Sequence, residues 1–169
     1  EQILQDKSLD YRVLNFASNT FNENNTSYWH KSIGGYHAAK LRRYQEMIDH
    51  HIAPEMQATF KEIAAAGGEM DSVDANKFRI LNMLNTKYFI FPVSQQGQTA
   101  PILNPYAYGN AWFVNNVKYV NNANEEIAAV GEVDLKNTAV VDVKFKEALK
   151  GKTEDLLSLI HISEPTRQE

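Results

Sequence analysis

The stretch Tyr28–Ile52, YWHKSIGGYHAAKLRRYQEMIDHHI, decides how this chain reads. It passes from a polar, ring-rich segment through Gly34 and Gly35 into a helical pattern. Stepping 100° per residue from Tyr36 puts Tyr36, Leu41, Tyr44, Met47, Ile48 and Ile52 in one arc of about 160°. Arg42, Gln45, Glu46, Asp49 and His50 fall opposite. The pattern predicts a core-facing helix from Gly35 to His51, about 25 Å long at 1.5 Å per residue. Arg42 and Glu46, four apart, pair on its outer face, and Ser32 is placed to cap its start. His37, Lys40 and His51 interrupt the apolar arc. Either His37 and Lys40 sit in the first turns near an open end and Lys40 snorkels, or the N-terminal part of the arc lines a polar cleft.

The paired glycines carry the first candidate site. Glycine lets a backbone approach a ligand closely, and free N–H groups at a helix start attract anions. Lys31 and Lys40 add positive charge, and Tyr28, Trp29 and Tyr36 flank the pair. The candidate ligand-facing residues are therefore Tyr28, His30, Lys31, Gly34, Gly35, Tyr36, His37 and Lys40. The plainer reading is a structural turn, because turns use glycine for positive φ anyway. A second group of rings, Tyr106, Tyr108 and Trp112, crowds the second long loop. Rings with amide and hydroxyl neighbours suit sugars, which present apolar C–H faces and many hydroxyls. The alternative is that these rings close the core over sheet edges.

Outward from the helix, Tyr11–Ala17 reads as a short strand, and the Asn-rich residues 15–25 as a loop. Pro54 suits the first turn of a second helix, closed by Gly67 and Gly68. Ser72 or Asp74 caps a third helix through Leu84. Lys87–Val93, KYFIFPV, is a strand whose unbroken apolar character predicts burial on both faces, ending at Pro92. Ser94–Asn110 reads as one long loop. Ala111–Val120 is one bent strand or two about Asn115-Asn116. Asn122 or Asn124 caps a helix with Glu125 and Glu126 in its first turn, and Thr138–Val143 is a last strand. The order β-α-α-α-β-β-α-β predicts an α/β (α+β) domain, a mixed β-sheet with helices packed on it.

The chain has 169 residues, 43% of them hydrophobic, enough for one domain with a core. A net charge of −4 argues against a nucleic-acid partner. No cysteine is present, which excludes disulfides and thiolate metal sites. No apolar run approaches the roughly 18 residues that span a bilayer, and EQILQDKSLD lacks the regions of a signal peptide. His30, His37, His50 and His51 match no ligand spacing, so no metal is assigned. There is no G-x-S-x-G elbow, no Walker loop, and nothing singles out two of the 21 acidic residues as a glycosidase pair. No cofactor is assigned.

Three blocks together, NTFNENNTSYWHKSIGGYHAAKLRRYQEMIDHHI, ILNMLNTKYFI and NPYAYGNAWFVNNVKYVNNANEEIAAV, resemble the YfhO-type bacterial multi-pass membrane proteins. The resemblance spans roughly Tyr11–Lys146. It implies a parent with a glycosyltransferase C-type membrane fold, transferring sugars from polyprenyl-phosphate donors onto cell-envelope glycans. This segment is similar to that family's soluble part on the outer face of the cytoplasmic membrane. The catalytic acid belongs to loops outside the segment, so no catalytic residue is carried over. Motif positions that match are Tyr28, Gly34, Gly35, Tyr36, Arg43, Asn85 and Tyr88. The implied role is accessory or acceptor-side, with the transmembrane part of the same chain and a glycan or polyprenyl-phosphate sugar as partners. A non-catalytic scaffold and a free-standing sugar-binding module are the competing readings. Residues 1–155 are expected to form the domain. Residues 156–169, ending SLIHISEPTRQE, resemble translated sequencing-adapter DNA and are expected to be a non-native tail, so His161 carries no weight.

Overall fold

Strand β2 (Thr86–Pro92) is the centre of the architecture in a computed structural model that describes residues 2–8, 10–94 and 96–150. Phe89 is fully buried and Thr86 with it, while Tyr88, Ile90, Phe91 and Pro92 are half-buried, so the burial expected on both faces is met only in part. β1 (Arg12–Asn15) lies parallel to it, with Val13 opposite Tyr88 and Leu14 opposite Phe89. On its other side runs β3 (Thr99–Leu103), antiparallel, with Ile90 opposite Pro101. β3 falls inside the segment expected to be one long loop. Pro101 masks its strand character in the sequence, and it is tolerated because β3 is the sheet edge.

The fold is mixed α/β, as the element order predicts. The strands divide between two sheets. β4 (Asn116–Val120) and β5 (Thr138–Asp142) form a separate parallel pair joined by helix α5 (Ala123–Glu132). Asn122 caps α5 by accepting the Glu125 N–H, as expected. The strand expected from Ala111 begins only at Asn116, and Phe113 before it is exposed.

Between β1 and β2 the chain makes a short helix α1 (Asn25–Trp29), then α2 (Arg42–Met47), a π-helical turn Ile48–Ile52, α3 (Ala53–Ala65) and α4 (Arg79–Met83). Two expectations are corrected here. The main helix starts after Leu41, not at Gly35, so Tyr36 and Leu41 leave the apolar arc and are exposed. Ser32 caps no helix; it bridges to Val13 in β1, and its hydroxyl accepts the Gly34 N–H.

A further correction concerns Pro54, which does not separate two helices. Residues on both sides of it keep helical dihedrals, and α2, the π turn and α3 run on as one rod. Proline has no N–H and its ring crowds the carbonyl four residues back, that of His50. The chain answers by widening the preceding turn: the Ala53 N–H reaches Ile48 O, five residues back. Ile48, Ile52, Thr59 and Ile63 face the core from this rod. His51 fits it to α5, since Nε2 donates to Ile127 O at 2.6 Å. Gly131 supplies the room; a Cβ there would stand 2.7 Å from the His51 ring.

The rod ends as its glycines predict. The Gly68 N–H bonds Ile63 O and the Gly67 N–H bonds Ala64 O, both glycines at positive φ. Asp74 accepts the Asn76 N–H and opens a 3₁₀ turn, Ala75–Phe78, that leads into α4. A shorter α4 (Arg79–Met83) stands where the longer helix was expected. A last short helix, α6 (Lys146–Leu149), follows β5. The non-native tail expected at residues 156–169 lies outside the described residues. Among the described residues, no helix is long and apolar enough to cross a membrane.

Candidate functional site

The Gly34–Gly35 junction is built around backbone packing. A Cβ on Gly34 would overlap the Thr20 carbonyl oxygen, and Gly35 sits at φ 114°. The amides that an anion would need are already engaged. Gly34 N–H donates to Ser32 Oγ at 3.0 Å and Gly35 N–H to Thr20 O at 2.7 Å. Tyr36 N–H donates to Glu23 O at 3.0 Å and lies 3.2 Å from Asn24 Oδ1. With no helix starting here and no amide to spare, the anion cradle expected of these glycines does not form. They instead let the chain pass flat against the loop that precedes α1.

The other residues assigned to that junction spread over its surface. Tyr28 and Trp29 are 78% and 63% exposed, and their rings meet edge to face at 4.9 Å. His30 is half-buried, which lowers its pKa. Lys31 pairs with Asp10 at 3.7 Å. His37 Nδ1 accepts the Ala39 N–H, and Lys40 lies 5.6 Å from the Phe21 ring centre. Two further motif positions are structural. Asn85 takes φ 57°, turning α4 into β2, and its side chain holds Asp10 O and Asn110 Oδ1. Tyr88 donates to Asp6, which also receives the Lys87 ammonium at 2.6 Å. Burial first, then the hydrogen bond to Asp6, pushes the Tyr88 phenol up to about 12.

A different place offers a cavity. A cleft of about 440 Å³ opens between the Ala75–Asn82 segment, the Pro105–Tyr108 loop and the turn at Asp134–Lys136. The size falls within the range of small-molecule sites. At its floor lies the buried Asn82, backed by the buried Asn104. Asn104 Nδ2 donates to Asn82 Oδ1 at 2.8 Å and to Thr86 O at 2.7 Å. Asn104 Oδ1 accepts the Tyr106 N–H, and Asn82 O accepts the Tyr108 N–H. The loop that carries both tyrosines is thus stapled to α4. With all these groups satisfied, the network is rigid.

One wall is set by Arg79. Its guanidinium donates to Gly131 O at 2.8 Å and Val133 O at 2.9 Å, so a cation closes the C-terminal end of α5. Asp134 accepts the Lys136 N–H and the Asn137 amide, bonds that hold its carboxyl below the usual range. Tyr108 meets Trp112 edge to face at 5.1 Å, with the Lys136 ammonium 5.9 Å from its ring centre. Burial first, then the Asp134 charge, raises the Tyr108 phenol, which keeps it a hydroxyl donor. Beneath the cleft, Glu55 on α3 accepts the Ile80 and Leu81 N–H groups at 2.9 and 2.8 Å. Burial pushes its carboxyl up to about 7 against the pull of those amides and Arg79.

Aromatic faces, amides, a hydroxyl, two cations (Arg79 and Lys136) and one carboxylate (Asp134) thus line the cleft. A single carboxylate, Asp134, lines it, so it lacks the two acids of glycoside cleavage. No cysteine, serine or histidine nucleophile lines it either. Among the described residues no three His, Cys, Asp or Glu side chains converge on a metal position. Of these residues only the aromatic segment stood out in the sequence. Arg79, Asn82, Asn104 and Asp134 carried no local signal, because each acts on a segment distant in the chain. The chain matches no protein-family model, no curated protein and no solved structure.

Proposed function

We propose that this chain is an extracytoplasmic, acceptor-side accessory domain of a membrane glycosyltransferase-like protein that modifies cell-envelope glycans. On this reading it holds carbohydrate in the Tyr106–Tyr108 cleft and performs no bond-breaking step itself. The observation that carries it is the cleft's composition: ring faces beside prealigned amide, hydroxyl and ammonium groups, without a nucleophile or paired acids. The resemblance to the YfhO-type proteins supplies the membrane context and the transmembrane part of the same chain as partner. On the same reading the domain lies at the outer face of the bacterial cytoplasmic membrane.

The test is a sugar titration of the whole chain followed by amide chemical shifts. Neutral oligosaccharides at millimolar concentration are expected to move Asn76, Tyr106, Tyr108 and Lys136. The double variant Asn76→Ala/Lys136→Ala, altering exposed side chains at the rim, is expected to lose those shifts and keep its melting curve. Unmoved cleft resonances would exclude a carbohydrate site there.

The engaged amides of Gly34, Gly35 and Tyr36 favour a second reading for the junction alone: it is scaffold, holding α1 against the Thr20 loop. The two readings concern different residues and coexist.

A further inference from the structure

We infer that the surface formed by Tyr28, Trp29, Tyr36, Lys31 and Lys40 docks on an anionic lipid bilayer. Eleven large hydrophobic side chains are exposed among the described residues; Tyr28, Trp29, Tyr36 and Leu41 are four of them, within 14 positions of sequence. From Asn24 to Gln45 the chain carries Lys31, Lys40, Arg42 and Arg43 and no acidic residue, although its net charge is −4. Exposed rings and positive charge thus share one stretch of an acidic protein.

The geometry keeps this stretch together. Tyr36 N–H reaches Asn24 Oδ1 at the start of α1, and α1 is only Asn25–Trp29. Its five residues span about 7 Å, so the Tyr28–Trp29 pair and Tyr36 belong to one part of the surface. The Gly34, Gly35 and Tyr36 amides are engaged internally, and the Tyr28, Trp29 and Tyr36 rings face solvent. Tyr28, Trp29 and Tyr36 do not line the carbohydrate cleft. Trp and Tyr rings, apolar in body and polar at the tip, sit at the headgroup level of a bilayer. Lysine and arginine near the surface add attraction to anionic lipid.

Three of the cations already meet acids. Lys31 pairs with Asp10, Arg42 with Glu46 and Arg43 with Glu126. All three cations are well exposed, and such pairs are weak and salt-screened. Lipid phosphates therefore compete for them, while Lys40 lies over the Phe21 ring.

The probe is a vesicle of phosphatidylcholine, with or without phosphatidylglycerol, mixed with the whole chain. Partition onto the anionic vesicle is expected to exceed that onto the neutral one by about tenfold and to fall in high salt. A blue shift of tryptophan emission accompanies it. Trp112→Phe is expected to retain the shift and Trp29→Phe to lose it, which assigns the inserted ring. Tyr28→Ala with Lys40→Glu is expected to cut partition about tenfold with an unchanged melting curve. Equal binding to both vesicles, no binding, or a shift that survives Trp29→Phe overturns the inference, whatever the sugar titration gives. Self-association without vesicles, read by sedimentation and abolished by Trp29→Ala, assigns the face to a second copy and also overturns it.

Discussion

The glycine junction and the tyrosine cleft are a matched pair of opposites. At the junction, two unusual residues adjoin in sequence, and the structure uses them to satisfy local backbone geometry. At the cleft, ordinary residues from three distant segments meet, and none of them looks special alone. Gly34 matters because Thr20 passes so close; Asn82 matters because Asn104 lies against it. A conspicuous motif therefore marks a demand of the backbone, which a ligand and a neighbouring loop impose equally well. A cleft is a property of the packing, and its signal is spread thinly along the chain.

The contrast is most open to attack at Gly34. Gly34→Ala sets a methyl into the Thr20 carbonyl, which is backbone and cannot swing away. A loss of about 3 kcal/mol or more is expected in urea unfolding. A near-neutral variant would mean the junction tolerates repacking and is not scaffold. Next comes Asn82→Ala in the cleft floor. It strips the Asn104 amide of one acceptor in a buried site, at about 1–3 kcal/mol. The Tyr106–Tyr108 loop then loosens, so the sugar-induced shifts should weaken along with stability. Loss of stability with the shifts intact would separate the floor from the function.

Glu55 sharpens the comparison through pH. Its carboxyl is raised from 4.5 to about 7, so between those values the folded chain holds a proton that the unfolded chain releases. The contribution to stability is fully present below about pH 4.5 and is lost as pH rises to about 7. Glu55→Gln does not titrate. The melting temperature of wild type minus that of the variant should therefore decline across this window and level off above it. A flat difference would mean that the Ile80 and Leu81 amides with Arg79 keep the carboxylate ionised throughout. The smallest effect is expected for Tyr36→Ala. The ring is 56% exposed, and the change should stay within about 0.5 kcal/mol. A strong loss there would restore Tyr36 to the core that the helical pattern assigned it.

Much of the fold was legible because it is decided within a turn or two of chain. Gly67 and Gly68 stop α3 by hydrogen bonds to residues three and five back. Asn122 caps α5 through a neighbour three residues on, and Arg42 reaches Glu46 one turn away. β2 declared itself by its unbroken apolar run. Less of the candidate site was legible: the rings of Tyr106, Tyr108 and Trp112 suggested a sugar, but nothing near them named Arg79 or Asp134.

The sequence alone therefore determined the class of the fold, the cap of α5, the stop of α3 and the central strand, since propensity, capping and burial pattern act over short range. The tertiary structure alone decided where the main helix begins, how it passes Pro54, that Thr99–Leu103 is a strand, and where a ligand-sized cleft opens. Partners beyond the local turn take part in these outcomes: β3 pairs with β2, His51 packs on α5, and Asn104 lies on Asn82. Such a partner is brought into place only by folding, so no local pattern announces it.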